Sequence, residues 1–115
     1  MEVDSRITQF FSTLADKTRL MILLSLSEGP MTVNGIHRSV GKDRITLSAV
    51  SHQLRQLNDM GIILHEKKGR EKHFRLSDKF CWCILRSAMD HFGSKTGCRE
   101  CSRRADKLNK LRKDK

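Results

Sequence analysis

Proline occurs once and glycine seven times in 115 residues, too few for a collagen-like or Pro/Gly-rich disordered chain. Long apolar runs are missing as well. The longest, Leu20 to Leu24, falls far short of the ~20 residues that span a bilayer. The start, Met1-Glu2-Val3-Asp4, lacks the basic-then-apolar order of a signal peptide. These absences predict a cytoplasmic protein with no membrane partner. In that compartment the four cysteines are expected as thiols or metal ligands rather than structural disulfides. The sequence also has no Gly-rich phosphate loop, no HExxH and no nucleophile motif, so no enzyme is expected.

Acidic residues are outnumbered, 13 against 23 Lys and Arg, for a formal charge of +10. Such an excess points to a polyanionic partner. Its placement is uneven: residues 93–115 hold nine basic and three acidic side chains, a net +6, and residues 1–92 only a net +4. Gly93 to Gly97 reads as the boundary between a domain over 1–92 and a basic, cysteine-containing tail over 93–115.

Within the domain, Ile7, Phe10, Phe11 and Leu14 fit a helical period behind Asp4 or Ser5 as N-cap. Asp16 can cap a second helix with Leu20, Leu23, Leu24 and Leu26 as its buried stripe, stopped by Glu28-Gly29-Pro30. Thr32 reads as the cap of a third helix through Val33, Ile36 and Val40, closed by Gly41. After Lys42-Asp43-Arg44 a fourth helix places Val50, Leu54 and Leu57 inward and ends at Met60-Gly61. Ile62 to Lys67 and Lys72 to Leu76 read as two strands around the turn Lys68 to Glu71, and Ser77 or Asp78 as the cap of a last helix from Lys79 to about Phe92.

The fold class that follows is mainly α with a small β-hairpin: a winged helix-turn-helix of about five helices and a two-stranded wing. In such a pair the second helix can enter the major groove. With Val50, Leu54 and Leu57 turned to the core, the fourth helix offers Thr46, Ser48, Ala49, Ser51, His52, Gln53 and Arg55 to DNA. Small hydroxyl residues near its start permit close approach to the duplex.

Three segments resemble a known family, the ArsR/SmtB-type repressors of bacteria and archaea. Phe11 to Leu20 is similar to the family's "ALADPTRLRIL" opening. Val50-Ser51-His52-Gln53-Leu54 through Met60-Gly61-Ile62-Ile63 resembles its "VSHHLKxLxxAGLV" recognition helix. Gly69-Arg70 with Phe74-Arg75-Leu76 resembles its "GR…YRL" wing. The resemblance implies a homodimer, joined through the terminal helices, that represses transcription from an operator in double-stranded DNA. Lys67, Lys68 and Arg70 of the wing are then expected at phosphates, with Arg70 within reach of the minor groove.

Two departures are local: Lys17 stands where the family pattern has proline, and Lys42-Asp43-Arg44 lengthens the link between the third and fourth helices. The family's third-helix Cys-x-Cys-Asp metal motif would fall near Thr32 to Gly35, where there is no cysteine.

Instead Cys81-Trp82-Cys83 opens the last helix and Cys98-Arg99-Glu100-Cys101 follows it. One Cys-x-Cys and one Cys-x2-Cys suit a tetrahedral thiolate site, so Cys81, Cys83, Cys98 and Cys101 are candidate ligands for zinc or another thiophilic metal. Two other readings stay open: a thiol switch favouring Cys81, and Cys81 and Cys83 as small apolar residues in a dimer seam. Phe80, Trp82, Leu85, Met89 and Phe92 are expected in core or dimer packing. His37, His65 and His73 are expected on solvated faces, and His91 is a minor ligand candidate. The functional expectation is a sequence-specific repressor, released from DNA by metal or thiol chemistry at these cysteines. The alternative is an effector-independent architectural DNA-binding protein whose tail holds a structural zinc or reduced thiols.

Overall fold

The computed structural model describes residues 1–80, 82–93 and 99–113. They fall into two compact units, Met1–Phe80 and Cys81–Lys115.

The first unit holds four helices and one sheet: α1 (Ser5–Leu14), α2 (Lys17–Leu26), β1 (Met31–Thr32), α3 (Val33–Val40), α4 (Leu47–Asp59), β2 (Ile63–Lys68) and β3 (Glu71–Leu76). Each helix starts where its cap dictates. Asp4, Asp16, Thr32 and Thr46 each accept a backbone N–H of the first turn through a side-chain oxygen, which satisfies a donor that the helix itself leaves unpaired. Gly41 closes α3 at φ +115°.

The core is Ile22, Leu23, Leu26, Ile36, Val40, Val50, Leu54, Leu57, Ile63 and Phe74, all buried. The stripe expected on α2 is corrected: Ile22, Leu23, Ser25 and Leu26 are buried, and Leu20 and Leu24 only half-buried. The helix is contacted by α1, α3 and β3, so it buries more than one face and a single stripe does not describe it. On α1, by contrast, Ile7 and Phe11 remain exposed, and the buried residue is Thr13. The Thr13 hydroxyl donates to the Gln9 carbonyl at 2.8 Å and lies 3.6 Å from the Met60 sulfur, which ties α1 to the end of α4.

The sheet has three antiparallel strands in the order β1-β3-β2, one more than expected. Met31 and Thr32 pair with Phe74 and His73, a two-residue strand too short to leave a sequence pattern. The β2–β3 hairpin turns on Gly69 and Arg70 alone, since Lys68 already pairs with Glu71. Gly69 takes φ +66°, as the first position of a tight II′-type hairpin loop requires.

The second unit contains α5 (Trp82–Gly93) and α6 (Arg99–Lys113). The last domain helix therefore does not begin at Lys79. Ser77 accepts from Lys79 N–H through its hydroxyl and from Phe80 N–H through its carbonyl, which makes a turn there. Leu85 is buried on α5, whereas Met89 and Phe92 are exposed. The basic tail carries a sixth helix among the described residues. No helix among them is long and apolar enough to cross a membrane. The fold is a mainly helical winged helix-turn-helix, with α3 and α4 as the helix pair and β2–β3 as the wing.

Candidate nucleic-acid interface

Helix α4 buries Val50, Leu54 and Leu57, and its ~100° turn per residue sorts the rest. Ser48, His52 and Arg55 lie opposite the core and are exposed. Ala49 and Gln53 sit on one flank, half-buried. There Arg19 of α2 donates from Nε to Gln53 Oε1 at 2.8 Å and from Nη2 to Gln56 Oε1 at 2.9 Å. The carbonyl oxygen of Gln53 is thus already engaged inside the protein. Thr46 is exposed, but its hydroxyl oxygen accepts the Ala49 N–H at 3.1 Å as the helix cap.

Ser51 is on the other flank, facing the sheet. Together with Arg55 and Asn58 of α4 and His65, Lys72 and Phe74 of the hairpin it borders a cleft of about 190 Å³. His65 Nδ1 lies 3.1 Å from Asn58 Oδ1, and the His65 and Phe74 rings are 5.6 Å apart. These contacts set the hairpin against α4. His65 is exposed yet bonded. His73 is half-buried, as is His37, whose Nε2 lies 2.7 Å from the Ile45 carbonyl oxygen. The expectation of plain solvated histidines is corrected in that respect.

Lys67, Lys68 and Arg70 are exposed on the wing. The register puts Lys67 directly opposite Lys72, and Lys68 opposite Glu71. Because side chains alternate between faces, Lys67 and Lys72 share the face of His65 and Phe74, while Glu66 and Glu71 lie on the other. Like charges directly opposed destabilise a ribbon. Among the described residues no ion pair engages Lys67, Lys72 or Arg55. The α4-facing side of the wing is therefore a cluster of unneutralised cations, ready for an anion. Sequence reading missed Lys72. The expected turn Lys68 to Glu71 already sets it opposite Lys67, so the signal was present in the sequence.

The cysteine candidates divide differently. Cys83 lies exposed on α5 as a free thiol. Cys81 and Cys98 lie outside the described residues, and Cys101 is on α6 with its side chain outside them. His91 is exposed on α5, its ring edge-on to Phe92 at 4.6 Å. Among the described residues no group of three or more His, Cys, Asp or Glu side chains could hold a metal.

Residues 16–64 match the family model described as bacterial regulatory protein, arsR family. The HTH-type transcriptional regulator NmtR of Mycobacterium tuberculosis is 33% identical over 87 residues, covering 76% of this chain and 70% of that protein. The arsenical resistance operon repressor of Escherichia coli is 37% identical over 70 residues, 60% of this chain and 57% of that repressor. Among solved structures, the AntR antimony-specific transcriptional repressor is similar with a TM-score of 0.60 and 32% identity, over 71% of this chain and 69% of that one.

Proposed function

The chain belongs to the ArsR family of DNA-binding bacterial transcriptional repressors, and we propose that it acts as a homodimer reading a pseudo-palindromic operator, with one α4 in each of two successive major grooves. It is a regulator and not an enzyme. The observation that carries the reading is the exposed row Ser48, His52 and Arg55 beside the unneutralised pair Lys67 and Lys72. The row can meet base edges, with Arg55 suited to guanine, and Thr46, Ser51, Ala49 and Gln53 lie along its flanks. Lys67, Lys68, Lys72 and Arg70 then hold the phosphates alongside, which positions the helix without reading sequence. Residues 1–92 do the reading and dimerise through α1 and α5, and residues 93–115 add charge.

The finer part of the proposal is the inducer. Thiolates of Cys81, Cys83, Cys98 and Cys101 would hold a thiophilic metal or metalloid, and binding would bias the dimer away from its DNA-competent spacing. Support comes from Cys83, an exposed free thiol, and from relatives named for arsenical resistance and antimony specificity. A coupling of about 1–3 kcal/mol suffices for such a switch.

The test selects a duplex from a random pool with the full chain, then titrates it with and without zinc, arsenite, antimonite and an oxidant. The reading expects strong preference for the selected site over random DNA, and weakening by at least one thiophile that a four-Cys→Ser variant abolishes. Equal affinity for random and selected duplexes would favour the architectural alternative. Unchanged affinity under every addition would remove the sensor and leave the repressor.

A further inference from the structure

We propose that the cavity between the start of α2 and the α3–α4 link is a phosphate-binding pocket built on Lys17 and Arg44. It measures about 310 Å³ and is lined by Lys17, Thr18, Met21, Val40, Arg44 and Ile45. Two cations and a hydroxyl thus border one recess together with Met21, Val40 and Ile45. The guanidinium fork matches phosphate oxygens in pairs, and the ammonium adds a point charge.

The link that carries Arg44 is tied back to α3 by two hydrogen bonds. Arg44 N–H donates to the Gly41 carbonyl at 3.1 Å, and His37 Nε2 lies 2.7 Å from the Ile45 carbonyl oxygen. A Cβ added at Gly41 would meet Arg44 Cδ at 3.5 Å and Cγ at 3.6 Å, so the arginine stem lies over the glycine. Less freedom is then lost when the guanidinium binds. Neither cation is neutralised: among the described residues the ion pairs are Arg6–Asp4 and Arg75–Asp78. Asp16, next to Lys17, accepts the Arg19 backbone N–H at 3.0 Å, and Asp43 does not line the cavity. Lys17 and the lengthened link that carries Arg44 are also two of the places where the sequence departs from the family pattern, and the fold brings Lys17 and Arg44 to one cavity. Nothing in the family resemblance predicts that convergence.

Two sources can supply the phosphate: the backbone of bound DNA, in which case the pocket rests on the reading above, or a free phosphate or phosphomonoester. The test uses the full chain as wild type, Lys17→Gln/Arg44→Gln, and Arg44→Lys, with circular dichroism as the check of folding. One arm measures affinity for the selected duplex across roughly 50–200 mM salt. The other measures thermal unfolding with inorganic phosphate against chloride at equal ionic strength.

A DNA source lowers the slope of log affinity against log salt by about 1.8 in the double variant, ~0.9 for each lost contact. Arg44→Lys keeps the wild-type slope, site preference is retained, and phosphate has no thermal effect. A free source raises the wild-type melting temperature with phosphate, not that of the double variant, and leaves the slopes equal. Equal slopes together with no phosphate effect overturn the pocket. If the wild type binds no duplex at all, the DNA reading fails, and the phosphate arm alone decides the pocket.

Discussion

Arg19 on α2 and Gln53 on α4 are joined by a 2.8 Å hydrogen bond, and the same guanidinium reaches Gln56 at 2.9 Å. Two positions one turn apart on the recognition helix are therefore held by one planar group from the helix beneath. This fixes the rotation of α4 about its axis, and with it the direction of Ser48, His52 and Arg55.

Arg19→Ala is expected to destabilise the protein by about 2 kcal/mol, since hydrogen bonds made by charged groups are worth ~1.5–3 kcal/mol. The urea midpoint should fall with an unchanged m-value. Affinity for the selected duplex should fall as well, but its salt dependence should stay at the wild-type slope, because no phosphate contact is removed. An unchanged midpoint would show that the clamp does not hold α4.

Lys72→Gln should move stability and binding in opposite directions. Relief of the Lys67–Lys72 opposition stabilises the free protein by a few tenths of a kcal/mol, within the ~0.2–1 kcal/mol of cross-strand pairs. Loss of one phosphate contact weakens DNA binding and lowers the salt slope by ~0.9. Lys68→Gln serves as the contrast. It removes an attraction to Glu71 and should slightly lower stability. A Lys72→Gln protein that binds DNA with the wild-type slope would place the wing away from the backbone.

Much of this framework was legible from local chemistry. The caps Asp16 and Thr32, the closing Gly41, and the inward Val50, Leu54 and Leu57 are all where the residues and their spacing predict, whereas Thr46, expected to face DNA, proves to be the cap of α4. What escaped depends on long-range partners. The Arg19 clamp joins positions 34 and 37 apart in sequence, and β1 exists because β3 lies beside it. Lys72 is the exception: its place opposite Lys67 follows from the expected turn Lys68 to Glu71 and was legible locally. The last helix was placed too early because Ser77 has a capping side chain, which here closes a turn instead.

The N-terminus of α1 should loosen in acid. Asp4 accepts from the Arg6 side chain and backbone N–H, and both hold its carboxyl below the usual 3.8. A carboxylate lowered in the folded state contributes stability that is complete above the unfolded value and is lost as pH falls through the folded one. Amide exchange at Arg6 and Ile7 should therefore accelerate below about pH 4, more than exchange within α2. In Asp4→Asn, which keeps a capping oxygen, that acid-dependent step should vanish. An identical pH profile in the variant would assign the fraying to another group.

Ile7 and Phe11 stand one turn apart on α1 with 50% and 54% of their surface exposed, although the sequence period marks both as interior. In the homodimer proposed above, this outward isoleucine and phenylalanine would face the other copy. Each substitution in a two-fold seam counts twice. Phe11→Glu removes an aromatic anchor and brings a carboxylate toward its symmetry mate. A total cost of ~4 kcal/mol, at ~2 kcal/mol for each anchor lost, corresponds to a dimer weaker by about a thousandfold. Sedimentation at micromolar concentration should then show monomer where the wild type shows dimer, and the melting temperature should lose its dependence on protein concentration. Leu64→Glu, an exposed apolar position on the outer face of the wing, should leave the dimer intact. If Phe11→Glu sediments as the wild type does, α1 is not part of the seam and dimerisation falls to α5 alone.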